Sequence, residues 1–299
     1  MSVKVKDGVR VQLSTLLYGE EVGSYHDGPV KVCGTSASER LDDGLYVCLS
    51  TDPSGALAST QKAIENGARY VALSTNVETA TKEVLSGVAE CFYVSDPRSI
   101  YARACHAFRG FPGRKLRLIA ITGTAGKTAL SYVLGGVLAE AGMKIGLIGS
   151  LGVYDGKKLS PSRETTPSPE RLAELLENMA AAGCVGAIVE VSSTALAEKR
   201  IAGLEFDAVC LTNVRRDHLD YHGTVDAYRN VKMQIFTYLK RTGVAVCNVD
   251  DRVTKAALHL IDRPVLTVGI QPTSCSVSGT PVERSKEGQT FYIVAGSDA

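Results

Sequence analysis

A strict alternation of short apolar runs with helical patterns, which begins near Leu116, most constrains the fold of this chain. Strands are predicted over residues 116–122, 144–148, 185–191, 208–214 and 244–249. Helices with apolar positions three and four apart are predicted over residues 127–141, 169–182 and 225–239. Near-continuous apolar strands separated by helices indicate a parallel sheet covered on both faces. Ligands of such folds bind at the carboxyl ends of the strands.

A linker-like segment divides the chain into two parts. Residues 109–115 combine two glycines, a proline and three basic residues, and the chain of 299 residues exceeds the roughly 100–200 residues of one domain. We therefore predict a small N-terminal α/β domain over 1–110 and a doubly wound, mostly parallel domain over 111–299. Short β-like pieces are predicted near its end, at 264–268, 274–277 and 290–294.

Charge and cysteine usage exclude several classes of protein. Lysine and arginine number 33 against 32 acidic residues, so the net charge of +1 provides no electrostatic footprint for nucleic acid or an anionic membrane. The eight cysteines are scattered without a C-x-x-C pair, which favours reduced thiols. No apolar run approaches the roughly 18 residues of a membrane span, and the N-terminus lacks a secretory pattern. We expect a cytoplasmic monomer.

The sequence GTAGKT at 123–128 lies where a predicted strand ends and a helix begins. In that context the backbone N–H groups of a glycine-rich turn and the positive end of the helix dipole face an anion. Lys127 can reach the terminal phosphates of a nucleotide, and the Thr128 hydroxyl can ligate Mg²⁺. Ile121 stands where the full Walker pattern has its first glycine, so the alternative is an ordinary strand-to-helix turn with an incidental lysine.

Two further polar sets follow predicted strands. The run TNVRRDHLDYHG at 212–223 places two aspartates and two histidines within six residues, suited to a metal or phosphates or else to capping the next helix. Glu190 ends an apolar strand, where a buried carboxylate is costly unless it meets a cation or a donor. In a doubly wound sheet, Glu190, His218 and the 123–128 loop open onto the same edge.

Together GTAGKT, EVSS at 190–193 with the later Arg200, and TNVRRDHLDYHG with the later Lys232 resemble the Mur ligase family. DHLDYHG, Lys232 and the segment 165–167 are most similar to the members that add the third amino acid to the UDP-N-acetylmuramoyl peptide. The resemblance covers residues 31 to about 251. It implies an ATP-dependent amide ligase of peptidoglycan precursor synthesis, which joins L-lysine or meso-diaminopimelate to UDP-N-acetylmuramoyl-L-alanyl-D-glutamate through an acyl phosphate.

The resemblance also implies site residues. ATP would be held by the loop residues Gly123, Thr124, Ala125, Gly126, Lys127 and Thr128, with Asn248 at the adenine. Two Mg²⁺ ions would be held by Thr128, Glu190, His218 and a carbamylated Lys232, which with Lys127 form the catalytic set. The UDP-muramoyl dipeptide would be bound by Ser36, Thr165, Thr166, Ser192 and Arg200. Without the resemblance, Lys232 reads as an exposed helix residue.

The chain also departs from the family pattern. Thr194 stands where a histidine is usual, and Glu198 where a glutamine is common, which puts a negative charge near an anionic substrate unless Arg200 or Lys199 offsets it. Ser38 is an alternative to Ser36. No motif of the family's Rossmann-like C-terminal domain is present, so we expect a chain truncated before that domain. The alternatives are a nucleotide- or UDP-substrate-binding protein without ligase activity and a related ligase such as a folylpolyglutamate synthase.

Overall fold

The computed structural model describes residues 1–270, 275–286 and 288–296. The chain folds into two compact units. The first comprises Met1–Gly113 with Ser168–Glu177 and Glu198–Leu204, and the second comprises Arg114–Pro167, Asn178–Ala197 and Glu205–Ala299. No helix of the described residues is long and apolar enough to cross a membrane.

The first unit is built on a five-stranded sheet in the order β1-β2-β3-β4-β5, in which only β1 is antiparallel to its neighbour. Its strands are β1 (Ser2–Lys4), β2 (Val32–Gly34), β3 (Gly44–Val47), β4 (Ala68–Ser74) and β5 (Glu90–Val94). Its helices are α1 (Leu13–Leu16), α2 (Pro53–Glu65), α3 (Glu78–Leu85) and α4 (Pro97–Ala107).

Both faces of this sheet are covered. Alternate residues of a strand point to opposite faces, and Tyr70 and Ala72 of β4 belong to one apolar cluster while Val71 and Leu73 belong to the other. Helix α4 packs on the first cluster, and helices α2 and α3 pack on the second. Asp52 and Asp96 cap α2 and α4 by accepting backbone N–H groups, and each precedes a proline at the first helical position.

The second unit contains a ten-stranded sheet among its described residues, in the order β15-β14-β13-β12-β11-β6-β10-β7-β8-β9. Its strands are β6 (Arg117–Thr122), β7 (Ile145–Gly149), β8 (Gly152–Tyr154), β9 (Leu159–Ser160), β10 (Gly186–Glu190), β11 (Phe206–Leu211), β12 (Leu239–Asn248), β13 (Val265–Gly269), β14 (Val277–Arg284) and β15 (Gln289–Ala295). Strands β8, β9 and β15 run antiparallel to the strands beside them, and the other pairings are parallel.

The helices that follow β6 and β11 lie on separate faces of this sheet. The helices are α5 (Lys127–Glu140), α6 (Pro169–Ala181, which begins in the first unit), α7 (Ser193–Ala197), α8 (Leu219–His222), α9 (Val225–Met233) and α10 (Arg252–Ala257). Helix α5 packs through Leu130, Leu134 and Leu138 on Ile121 and Ile188. Helix α9 packs through Tyr228 and Met233 on Leu211. Cys210, the residue before Leu211, belongs to the cluster under α5, and consecutive strand residues point to opposite faces of a sheet.

The predicted mixed α/β class and the parallel sheet are confirmed. The predicted helix over 225–239 is too long, because α9 ends at Met233 and a 3₁₀ turn, Gln234–Tyr238, carries the chain into β12 with Ile235 fully buried. The β-like pieces at 264–268 and 290–294 correspond to β13 and β15. The piece at 274–277 begins outside the described residues, and the strand there, β14, starts at Val277.

Candidate functional site

Three neighbouring parallel strands of the second unit end level with one another. In the pairing register Glu190 of β10 lies opposite Ile121 of β6, and Leu211 of β11 lies opposite Thr122. The segments that follow these strands therefore leave the sheet at the same edge. This register places the 123–128 loop, Glu190 and the 212–223 segment together, as the sequence predicts.

The 123–128 loop needs glycine at two positions. Gly123 has φ +147°, and a Cβ there would overlap the Thr212 hydroxyl oxygen, while Gly126 has φ +85° at the N-cap of α5. Lys127 Nζ donates to the carbonyl oxygens of Gly123 at 2.9 Å and Thr124 at 3.3 Å. Burial lowers the pKa of Lys127 below its usual range. The loop thus closes on its own lysine, which must release these carbonyls to reach a phosphate.

Thr212 and Asn213, which directly follow β11, hold this loop by hydrogen bonds to Ala125. Asn213 Oδ1 accepts from the Ala125 N–H at 3.1 Å, and its Nδ2 donates to the Ala125 carbonyl at 3.0 Å. Thr212 Oγ1 donates to the same carbonyl at 2.7 Å. Sequence reasoning assigned no role to this pair, although the Thr-Asn dipeptide directly after an apolar strand is a local signal that could have found it.

Glu190 is a fully buried carboxylate that is bound by hydroxyl groups. Its Oε2 accepts from Thr128 Oγ1 at 2.8 Å, and its Oε1 accepts from Ser131 Oγ at 2.9 Å. Ser150 Oγ lies 3.4 Å from Oε2. A Cβ on Gly149 would lie 2.5 Å from the Glu190 carboxyl carbon, so the close approach requires glycine. Ser131, Gly149 and Ser150 were missed from sequence, because 40 or more residues separate each of them from Glu190.

Lys232 is 1% exposed, so the interpretation as an exposed helix lysine is wrong. Its Nζ donates to Thr122 Oγ1 at 3.4 Å and lies 5.2 Å from the centre of the Tyr228 ring. Among the described residues no carboxylate forms an ion pair with it. Burial, followed by the positive charge of Lys127, lowers the pKa of Lys232 to about 7. Much of this amine is therefore neutral at physiological pH.

The two histidines of the 212–223 segment differ in environment. His218 adopts φ +49°, and its side chain is 55% exposed, with Nε2 3.6 Å from Asp217 Oδ2. The Nε2 of His222 is buried and has no hydrogen-bond partner in the part of the chain that the structure describes. Burial and the nearby His218 and Lys232 lower the pKa of His222. Thr224, not a histidine, caps α9 by accepting the Ala227 N–H.

The oxygen donors at this edge fit a hard cation. Within the described residues, the side-chain hydrogen bonds of the Glu190 carboxylate all come from hydroxyl groups. A positive charge is what best compensates a buried carboxylate. Carboxylate and hydroxyl oxygens are the ligands Mg²⁺ prefers. The described residues contain no group of three or more His, Cys, Asp or Glu placed to hold a metal. A site here would therefore combine Glu190 and Thr128 with other donors, and the assignment of His218 stays a prediction.

The residues predicted to bind the UDP-linked substrate fall in both units. Thr165 Oγ1 lies 2.9 Å from Ser150 Oγ. The buried Thr166 hydroxyl donates to the Glu190 carbonyl at 2.9 Å and accepts from the Ser192 N–H at 3.0 Å. Thr166 thus orders the backbone around Glu190, while Thr165 and Ser192 remain partly exposed.

Arg200 and Ser36 belong to the first unit. Arg200 Nε donates to Glu198 Oε2 at 2.7 Å, so the negative charge that Glu198 brings is offset by this guanidinium. Ser36 is partly buried, and its carbonyl accepts from the Glu39 N–H at 3.2 Å, whereas Ser38 is exposed. The choice between the two serines stays open.

Asn248 lies at the end of β12, beside the strand that leads into the 212–223 segment. Its Nδ2 donates to the Thr212 carbonyl at 3.0 Å, and its Oδ1 accepts from the Asp250 N–H at 3.0 Å. Both ends of the amide therefore serve the local backbone. The role of Asn248 at an adenine stays a prediction.

The chain is similar to known proteins. The family described as the Mur ligase middle domain matches residues 121–298. The UDP-N-acetylmuramoyl-L-alanyl-D-glutamate--2,6-diaminopimelate ligase of Phocaeicola vulgatus is 36% identical over 242 residues, covering 78% of this chain and 49% of the relative. The ligase of the same name from Geobacillus thermodenitrificans is 35% identical over 255 residues, covering 83% and 50%.

Solved structures agree in fold. A structure titled UDP-N-acetylmuramoyl-L-alanyl-D-glutamate--2,6-diaminopimelate ligase superimposes with a TM-score of 0.70 at 23% identity, over 96% of this chain and 58% of that one. A MurF ligase from Thermotoga maritima in complex with ADP gives a TM-score of 0.50 at 16% identity, over 88% and 55%. The chain spans about half the length of the curated relatives it matches.

Proposed function

Because the chain belongs to the Mur ligase family, we propose that it is the nucleotide- and UDP-substrate-binding part of an ATP-dependent amide ligase of peptidoglycan precursor synthesis. The observation that carries the proposal is the fully buried Glu190, which meets the Thr128 hydroxyl at the end of the 123–128 loop. This environment suits a nucleotide-bound cation, because the hydrogen-bond donors of Glu190 are hydroxyl groups and a cation would add to the positive charge that Lys127 contributes nearby.

We further propose that the substrates are UDP-N-acetylmuramoyl-L-alanyl-D-glutamate and diaminopimelate. Both compounds appear in the names of the two curated relatives described above. L-Lysine is the competing amino acid. Diaminopimelate and L-lysine both carry an amine. That amine would attack the activated carboxyl of the dipeptide and displace phosphate to form the amide, with ADP and phosphate as the products.

The proposed roles of the loop residues follow from their present contacts. The N-terminus of α5 would face the ATP phosphates, whereas the N–H groups of Thr124 and Ala125 donate to Asn213. The Lys127 ammonium would exchange the Gly123 and Thr124 carbonyls for phosphate oxygens. Thr128 and Glu190 would hold Mg²⁺, which when bound neutralises the charge that gathers on the transferring phosphoryl group.

Lys232 is proposed to act as a carbamate. Its amine is buried and has a pKa near 7, so a neutral form exists that can add CO₂. In that step the neutral amine attacks CO₂, the Nζ–C bond forms as one C–O π bond of CO₂ opens, and one proton is released, which converts a neutral amine into an anionic oxygen ligand. This change suits a site that lacks a described carboxylate partner for Lys232, and His218, whose ring centroid lies 6.5 Å from that of Tyr228, would be a further ligand.

Calorimetry on the 299-residue chain tests the nucleotide part of the proposal. We expect binding of ATP in the presence of Mg²⁺, and loss of at least tenfold in affinity for Lys127→Ala. Lys144→Ala provides a matched control, because that lysine donates to the Ala182 carbonyl away from the loop. Equal affinities for wild type and Lys127→Ala would contradict a phosphate-binding role for the loop.

Phosphate release by the complete gene product tests the ligase part. We expect release that depends on UDP-N-acetylmuramoyl-L-alanyl-D-glutamate, ATP, Mg²⁺ and diaminopimelate together. Release with L-lysine but not with diaminopimelate would show that L-lysine is the amino acid added. Nucleotide binding without release for either amino acid would refute the ligase and leave a binding protein.

A further inference from the structure

Tyr228 joins the 123–128 loop to the helix that carries Lys232. It lies on α9 one turn before Lys232, and its side chain is 1% exposed. Its hydroxyl shares a hydrogen bond of 2.9 Å with Thr124 Oγ1, across 104 residues of sequence. Burial raises the pKa of Tyr228, and either hydroxyl can donate in this bond.

Thr124 is itself a fixed point of the loop. Its Oγ1 accepts from the Arg215 N–H at 2.9 Å, and its own N–H donates to the Asn213 carbonyl at 2.9 Å. Backbone contacts from the 212–223 segment therefore hold one side of Thr124. Tyr228 is the side chain that reaches Thr124 from α9.

The ring of Tyr228 carries the other half of the connection. Lys232 Nζ lies 5.2 Å from the ring centre, and the spacing of four residues puts both side chains on one face of α9. The His222 ring meets the same ring in an edge-to-face arrangement, with centroids 5.4 Å apart. A single buried side chain thus touches the loop through its hydroxyl and Lys232 through its ring.

We propose that Tyr228 is a positioning residue that sets the spacing between the phosphate-binding loop and Lys232. The hydroxyl anchors Thr124, and the ring faces the Lys232 amine, so a shift of α9 is transmitted to the loop. The identity of the nucleotide in this inference rests on the proposed function, whereas the mechanical link between loop and helix does not.

Tyr228→Phe isolates the hydroxyl, because it keeps the ring beneath Lys232. In calorimetry on the 299-residue chain we expect ATP in the presence of Mg²⁺ to bind about fivefold more weakly, the effect of one lost hydrogen bond. In the complete gene product the KM for ATP should rise by a similar factor while the KM for the UDP-linked substrate is unchanged. Tyr132→Phe is the matched control, since Tyr132 lies on α5 with 37% exposure.

Amide hydrogen exchange in the nucleotide-free chain provides a readout independent of binding. We expect residues 122–128 to exchange at least threefold faster in Tyr228→Phe than in wild type, with the strands of the sheet unchanged. Thr124→Val removes the same bond from the loop side and also the acceptor of the Arg215 N–H, so its effect on loop exchange should equal or exceed that of Tyr228→Phe. If Tyr228→Phe does not fold, unchanged loop exchange in Thr124→Val still overturns the link. Adding Tyr228→Phe to Thr124→Val should then change loop exchange no further.

The outcomes separate this inference from the proposed function. Unchanged loop exchange in both variants, or a loss of affinity equal to that of Tyr132→Phe, would overturn the role of Tyr228. If loop exchange is faster in Tyr228→Phe but the chain does not bind ATP, the link between the loop and α9 is supported and ATP binding is refuted.

Discussion

His106 makes the first unit sensitive to acid. The residue lies on α4 and is fully buried, and neither ring nitrogen has a hydrogen-bond partner among the described residues. Burial, followed by the positive charge of Arg109, lowers the pKa of His106 from 6.5 to about 3. A charged imidazolium at this position would lack both water and a counter-charge.

The magnitude follows from linkage. Between pH 6.5 and about 3 the unfolded chain binds a proton that the folded chain excludes, so the free energy of unfolding falls as the pH falls. Each pH unit in this window is worth about 1.4 kcal/mol. From pH 7 to pH 5 the contribution of His106 to stability therefore decreases by about 2 kcal/mol.

Urea unfolding followed by circular dichroism at pH 7 and pH 5 measures this decrease. Between the two pH values, we expect the free energy of unfolding to fall by about 2 kcal/mol less for His106→Leu than for wild type, because leucine does not titrate. Any packing effect of the substitution is the same at both pH values and cancels in the difference. His259→Leu is the control, since His259 is exposed. An equal loss for wild type and His106→Leu would refute the reasoning.

Three further results are expected for residues of the candidate functional site. Gly149→Ala, whose Cβ would lie 2.5 Å from the Glu190 carboxyl carbon, should lower the melting temperature and weaken Mg²⁺-dependent ATP binding, whereas Gly136→Ala, with nothing within 4 Å, should do neither. Ser131→Ala should cost about 1–3 kcal/mol in urea unfolding, because it leaves one oxygen of Glu190 without its donor. Lys232→Ala should abolish phosphate release by the complete gene product, with partial rescue by short carboxylic acids; unchanged release would exclude Lys232 from the metal site.

Local pattern was sufficient for the elements around the 123–128 loop. The strand at 117–122, the glycine-containing turn and the helix from Lys127 follow one another within a few residues, so apolar periodicity and the φ preference of glycine predict them together. That β6, β10 and β11 end at one edge also follows from the pattern, because parallel strands present their carboxyl ends at the same edge of a sheet. The 3₁₀ turn at Gln234–Tyr238 was not predicted, since its apolar residues continue the helical period of α9.

The burial of the site residues depended on contacts that no local pattern contains. By itself, the sequence determined that the 123–128 loop and Glu190 each stand at the end of an apolar strand, because both are set by residues next to them in the chain. Only the tertiary structure decided that Ser131 and Ser150 satisfy Glu190, that Thr212 and Asn213 hold Ala125, and that Tyr228 covers Lys232. Each of these contacts joins residues on separate elements or different turns, so strand register and helix packing determine which side chains meet and which lose their water.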